Sequence, residues 1–356
     1  MRSDIGSLLA RTLPPALQAT NGQVRDDYVV VRDDDPAHWE AQLVGHPCRN
    51  IYTSWGWGEY KSRLGWKVDR LLVANKVGAC LAMAQIQARS KFGVRHVYIH
   101  GGPLFFATDD TVAERTLAAL LAHVDPGRFG FVAINFERFD TPPALLATLA
   151  CGFSPALNRN QHTIVLDTSI GLDAIQKRLR RLWSRQLAKA LANRDLSAHI
   201  VEDQDERVAA FDAFARMYAA LAERKGFEMA VAPDLFRDIA IADRRYIFLV
   251  VRERGDIVTV RIAHRAADRL IDYVNGSGPQ AMASHANTLA VWRLIQHTID
   301  SGLRYYDFCG IDPVVNPGVF RFKRGIGGAV VQAGPIWIHS RSAVVQSGIQ
   351  AVVTLK

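Results

Sequence analysis

The feature that most constrains this chain is an order of apolar segments that occurs twice. Residues 68–73, 79–88 and 95–100 read as short strands joined by tight turns, the first of them at Asn75-Lys76. A segment with helical spacing follows at 111–124, with Leu117, Leu120 and Leu121 on one side, and then a strand over 131–136. The same order returns as three strands at 246–253, 257–264 and 270–275, a helix at 288–301 and a strand at 305–309. The two halves repeat at a spacing of about 150 residues without obvious identity, which argues for two copies of one α+β module. The boundary is expected near Asp167, giving domains over residues 1–166 and 167–334.

A length of 356 residues also favours two domains, and 49% hydrophobic residues allow each an ample core. The net charge of +8 suits anionic partners: nucleic acid, phosphorylated precursors or, by peripheral contact, a membrane surface. Cys48, Cys80, Cys151 and Cys309 show no CxxC spacing, so no metal site or disulfide framework is implied, and they read as thiols of a reducing compartment. Met1-Arg2-Ser3-Asp4-Ile5 leads into no long apolar run, and no stretch reaches the ~18 apolar residues of a spanning helix. The expected location is cytoplasmic. Residues 1–25 read as a polar, weakly structured lead.

One stretch concentrates chemistry. The strand ending Asp307-Phe308-Cys309-Gly310 opens into a loop with Pro313, Asn316 and Pro317. The chain returns through Phe320 and Phe322 and places Lys323 and Arg324 beside Gly325-Ile326-Gly327-Gly328. Glycine permits close backbone approach to a ligand, and two cations suit an anionic group. The other reading is a strand, a turn and a solvated basic edge.

A strand ending Tyr-Asp-Phe-x-Gly-Ile, a loop, then Phe-Lys-x-Gly-x-Gly-Gly resembles the closing motif of the FemABX family. Ile326 stands where that family usually has Phe. Ser54-Trp55-Gly56-Trp57 through Tyr60-Lys61, followed by Leu64-Gly65-Trp66-Lys67, is similar to the family's opening helix. The resemblance implies two tandem GNAT-like domains, here without a long coiled-coil arm, with residues 335–356 returning to complete the first. It implies transfer of an amino acid from aminoacyl-tRNA to an amine, typically of a peptidoglycan precursor, with no cofactor and no metal. It places catalysis on Lys323, whose charge would stabilise oxygen anions during aminolysis of the ester. It raises Glu137, at the end of an apolar strand, as the group that orients or deprotonates the amine, with Asp140 next in line. It carries Arg224, Tyr273, Trp55 and Lys61 over as substrate-binding residues. On residue chemistry alone Glu137 equally forms a salt bridge, Arg224 complements a helix end, and Trp55 and Tyr273 are core aromatics.

The tRNA itself has a candidate surface. Residues 172–193 read as one helix in which Lys177, Arg181, Arg185 and Lys189 recur every four residues. Successive positions rotate by about 40°, so the four share a broad face, opposite Ile175, Leu179, Leu182 and Leu187. Asp173 is the one acid in that span, so the stripe needs partners elsewhere or a polyphosphate. The chain has no GxGxxG, Walker A, Gly-x-Ser-x-Gly or HExxH pattern. In the pyrophosphate loop of CoA-dependent GNAT enzymes Arg or Gln stands where Phe322 stands here, which speaks against acyl-CoA. Two rival functions remain: an N-acyltransferase using acyl-CoA or acyl-carrier protein on a small amine, and a non-catalytic nucleic-acid-binding protein.

Overall fold

A computed structural model describes residues 28–137, 142–157 and 162–355. The lead over residues 1–25, and Asp140, lie outside the described residues. The chain forms two compact units, one before residue 162 and again after residue 332, the other over His162–Gln332.

The first unit opens with β1 (Tyr28–Arg32) and α1 (Pro36–Leu43). Asp35 caps α1 by accepting from the Ala37 N–H, and Pro36 occupies the first turn, where no donor is needed. In α2 (Trp55–Arg63) Ser54 accepts from the Trp57 N–H. The meander is β2 (Lys67–Asn75), β3 (Cys80–Lys91) and β4 (Val94–His100). Then come β5 (Leu104–Phe105), α3 (Asp110–Val124), β6 (Phe131–Asn135), α4 (Pro142–Ala150) and β7 (Ser154–Ala156).

The second unit comprises β8 (His162–Asp167), α5 (Leu172–Arg178), α6 (Arg181–Ala192), β9 (Leu196–Val201), α7 (Gln204–Lys225) and α8 (Pro233–Ala242). Its meander is β10 (Tyr246–Glu253), β11 (Asp256–Ala266) and β12 (Arg269–Ser277). After α9 (Ala286–Asp300) follow β13 (Tyr305–Gly310), α10 (Pro317–Arg324) and β14 (Ala329–Gln332). The chain then re-enters the first unit as β15 (Ile336–His339) and α11 (Ala343–Thr354).

The first sheet runs β1-β2-β3-β4-β6-β15-β7, with β5 also on β3; the second runs β14-β8-β13-β12-β11-β10-β9. Each is an antiparallel meander followed by a helical crossover to a parallel strand. The first core gathers Val97, Ile99, Leu117, Leu120, Val132 and Ile134; the second gathers Trp183, Leu270, Leu294, Tyr306, Phe308 and Ile326.

Three expectations need correcting. His162–Asp167 belongs to the second sheet, flanked by β13 and β14, so the division falls at 161/162 rather than after 166. The span 172–193 is two helices, because the chain bends out at Leu179-Arg180, where the Arg180 N–H donates to the Gly325 carbonyl at 2.9 Å. Lys177 is therefore on α5, while Arg181, Arg185 and Lys189 share α6. Leu182 is exposed, and Trp183, Leu187 and Ala190 form the packed side instead. The return past Pro317, for which the sequence offered no secondary structure, is the helix α10, with Asn316 accepting from the Val319 N–H.

Candidate active site

The parallel strand pairs differ between the units. β4 stays beside β6 from His96↔Phe131 to His100↔Asn135. β12 and β13 pair only from Arg269↔Tyr305 to Ile271↔Asp307, after which they part. The parting has a local cause. Between Asp307 and Gly310 the register against β8 gains a residue, and Cys309 takes a left-handed φ of 58°. The Asp307 carboxylate pins this bulge: it accepts from the Cys309 N–H at 2.9 Å, lies 2.6 Å from the Thr163 hydroxyl and faces Arg269 at 3.3 Å.

Lys323, near the end of α10, closes on this bulge. Its ammonium donates to the Gly310 carbonyl at 2.8 Å and, more weakly, to the Cys309 carbonyl at 3.4 Å. An ammonium has three donors, so one remains for another acceptor. Burial is the main influence on this amine and pushes its pKa below the usual lysine value; Cys309, Asp272 and Asp307 act the other way, and Arg261 adds to the lowering. Nearby in the strands is a buried pair, Arg261 to Asp272 at 2.9 Å. Burial, then the Asp272 charge, raise the pKa of the fully buried Tyr306 phenol. The parting of the strands thus holds a desolvated cation among carboxylates and backbone carbonyls.

The glycines after Lys323 are placed differently from their sequence reading. A Cβ at Gly325 would stand 2.5 Å from Trp183 Cδ1, and one at Gly327 would stand 2.9 Å from the Arg178 carbonyl. The run makes its close approach to the protein's own α5–α6 bend rather than leaving room for a ligand. That contact is informative, because it brings α6 beside α10: the Trp183 and Phe322 rings are 5.8 Å apart. Arg181, Arg185 and Lys189 are exposed on α6, as is Lys177 on α5, and among the described residues none of the four forms an ion pair. The alternative of arginines neutralised by distant acids is therefore not realised among those residues.

Arg224 is exposed in the last turn of α7, which Gly226 ends in the left-handed region. Tyr273 sits on β12 next to Asp272, with its ring 6.1 Å from Phe236 of α8.

Glu137, Trp55 and Lys61 belong to the first unit. The Glu137 carboxylate lies 3.8 Å from His100 Nε2 at the end of β4. Burial, helped by the Lys61 charge, pushes His100 down to about 3, so this contact is to a neutral imidazole. His100 stacks on Tyr52 at 3.5 Å and on Tyr98 at 5.0 Å. His96, pushed down to about 4 by burial and Arg89, stacks on Phe131. Lys61 lies between the faces of Trp57 and Trp66, at 5.2 and 5.5 Å, and burial lowers its pKa, with Arg89 adding to the effect. Trp55 belongs elsewhere: it stacks on Arg70 at 3.5 Å and packs against the Trp39-Leu43-Leu72 cluster. The tryptophans beside Lys61 are Trp57 and Trp66. Sequence reasoning missed His96, His100 and Tyr98; their alternation on one strand, every second residue polar-aromatic, was the available signal.

Among the described residues no group of three or more His, Cys, Asp or Glu side chains is arranged to hold a metal. None of their helices is long and apolar enough to cross a membrane.

A family model described as an acetyltransferase (GNAT) domain matches residues 177–324, within the second unit. No curated protein sequence matches. Among solved structures, one of FemX is 14% identical, with a TM-score of 0.74 over 89% of this chain and 99% of that one. The C-terminal domain of a putative lysylphosphatidylglycerol synthetase from Agrobacterium fabrum is 12% identical, with a TM-score of 0.55 over 90% of this chain and 97% of that one. L-PGS from Bacillus licheniformis is 14% identical, with a TM-score of 0.53 over 90% and 97% of the two chains. At these identities the likeness is one of fold, and the chain is an α+β protein of two GNAT-like modules in tandem.

Proposed function

We propose that this protein transfers an amino acid from aminoacyl-tRNA to the amine of a peptidoglycan precursor or a related peptide-like acceptor. The observation that carries the reading is Lys323: a desolvated ammonium with a donor to spare, at the parting of two strands, on a helix packed beside α6, whose cations form no ion pair among the described residues. In aminolysis the acceptor nitrogen forms a bond to the ester carbonyl carbon, and the carbonyl electron pair moves onto oxygen. When that pair returns, the bond to the ribose oxygen breaks, and the proton lost by the amine ends on the departing hydroxyl. A fixed cation at either oxygen lowers the barrier, most where water is excluded. Lys323 has that role here. Arg181, Arg185 and Lys189, with Lys177 on the neighbouring helix, hold the tRNA backbone.

The acceptor side belongs to the first unit. Glu137 orients or deprotonates the amine, and His100 beside it, being neutral, does not cancel the carboxylate charge. Lys61, between two tryptophans, contributes to binding the precursor. On the second unit, Arg224 and Tyr273 are assigned to substrate binding as well. The fold likeness to FemX over most of both chains is consistent with this assignment.

The test is a screen of charged tRNAs against amine acceptors, read by mass spectrometry, with and without ribonuclease. Ribonuclease-sensitive formation of a new amide is the expected result. Transfer that persists after ribonuclease and requires a thioester would replace the donor. Binding of tRNA with no transfer to any acceptor would leave a nucleic-acid-binding protein.

A further inference from the structure

One end of the first sheet carries a surface that the transfer reaction does not use. Three segments meet there. β3 and β4 are joined by the two-residue turn Phe92-Gly93, both with positive φ (53° and 76°), between the paired Lys91 and Val94. The loop before β6, from Pro126 to Gly130, lies against the start of β4, since a Cβ at Gly130 would stand 2.7 Å from the Arg95 carbonyl. The passage from β15 to α11 arrives at the same place, with the Ser340 hydroxyl donating to the Gly130 carbonyl at 2.7 Å.

Each segment exposes an apolar tip: Phe92 is 93% exposed, Phe129 59% and Val344 82%. Around them stand Lys91, Arg95 and Arg128, all exposed, and among the described residues none of the three is in an ion pair. Lys91 and Arg128 lie over the rings of Phe92 and Phe129, each at 5.3 Å. The acid at this end, Asp125, is paired with Arg341 at 3.2 Å.

The fold does not require these aromatics. The corresponding turn of the second unit, between Ala266 and Arg269, is Ala267-Asp268, with Ala267 in the same left-handed region at 47°. Phenylalanine is a poor residue for that backbone, where glycine and asparagine are favoured, and it buries nothing there. Exposed aromatics on protruding turns, each beside an unpaired cation, match the boundary between lipid headgroups and acyl chains. A nucleic acid would call for rings lining a groove as a stacking platform.

We infer that this end of the first unit docks on an anionic phospholipid bilayer, with Phe92 and Phe129 entering the interface and Lys91, Arg95 and Arg128 meeting the lipid phosphates. The inference is independent of the proposed transfer reaction, because its test requires no turnover. The full chain is floated with phosphatidylcholine vesicles, with and without about one third phosphatidylglycerol. Binding is expected only to the anionic vesicles, and to fall with salt. The pair Phe92→Asn and Phe129→Ser should lower the partition coefficient by about tenfold or more, the loss expected from removing two apolar insertions. Asparagine is at home in the left-handed backbone of this turn, so the melting temperature should hold. Lys91→Glu with Arg128→Glu should lower binding similarly, and Arg181→Glu with Arg185→Glu should leave it unchanged. No binding to anionic vesicles, or equal binding by the phenylalanine variants, would overturn the inference. Loss of tRNA retention in those variants with vesicle binding intact would assign the surface to nucleic acid instead.

Discussion

The two desolvated histidines of β4 predict an acid limb in the stability of the first unit. Burial holds His100 at about 3 and His96 at about 4, against 6.5 in an unfolded chain. Below pH 6.5 the unfolded state takes up protons that the folded state refuses, so stability falls as pH falls. The effect is fully absent above about pH 7.5 and is complete only near the folded values. At pH 5 each histidine stands about 1.5 units below its unfolded pKa, and at about 1.4 kcal/mol per unit each costs about 2 kcal/mol. The two together make about 4 kcal/mol, enough to lower a melting temperature by roughly 10 °C in a domain of this size. The assay is urea unfolding of the full chain at intervals from pH 8 to pH 5, followed by a signal from the first unit. Between pH 5 and 6 this pair should contribute about two protons to the slope, and His46 and His339, which burial also lowers, add to it in the same sense. His96→Phe with His100→Gln should lower stability at pH 8, because the His100 ring stacked on Tyr52 is lost, yet reduce that slope. A native slope near zero, or the same slope in the double variant, would refute the argument that these imidazoles are held neutral.

Three further outcomes are expected. Lys323→Ala should slow transfer by about 10²–10³-fold in single-turnover kinetics, roughly 3–4 kcal/mol, with little loss of thermal stability because the folded protein already disfavours that charge; a normal rate would end its catalytic role. Lys323→Arg should recover part of the rate, since a planar fork replaces a compact ammonium. Arg181→Glu with Arg185→Glu should weaken tRNA binding and reduce the slope of log K against log salt by about 2, and an unchanged slope would make α6 a solvated face. Gly325→Ala, whose Cβ would stand 2.5 Å from Trp183, should cost about 1–3 kcal/mol in unfolding free energy and shift Trp183 fluorescence.

The sequence by itself determined the modular plan. Period-two alternation along β2–β4 and β10–β12, and helical spacing along α3 and α9, report local backbone geometry, and both survive translation into tertiary structure. The Ser54 cap was legible for the same reason: it acts on the N–H three residues ahead. The motif around Asp307 and Lys323 could be recognised as a pattern, and the charge on α6 could be read from spacing. What tertiary structure decided were contacts between segments distant in sequence. The helix expected over residues 172–193 breaks because Arg180 finds a carbonyl at Gly325, about which spacing within the helix carries no information. The strand at 162–167 joins the second sheet because β13 and β14 supply its hydrogen bonds on both edges. The glycines after Lys323 accommodate Trp183 and Arg178 because the break folds α6 back onto them. Lys323 becomes a desolvated cation because a bulge in β13 turns two carbonyls toward it, and His96 and His100 become neutral because aromatic rings exclude water from them. Desolvation is a property of the surroundings, and only the assembled fold supplies those.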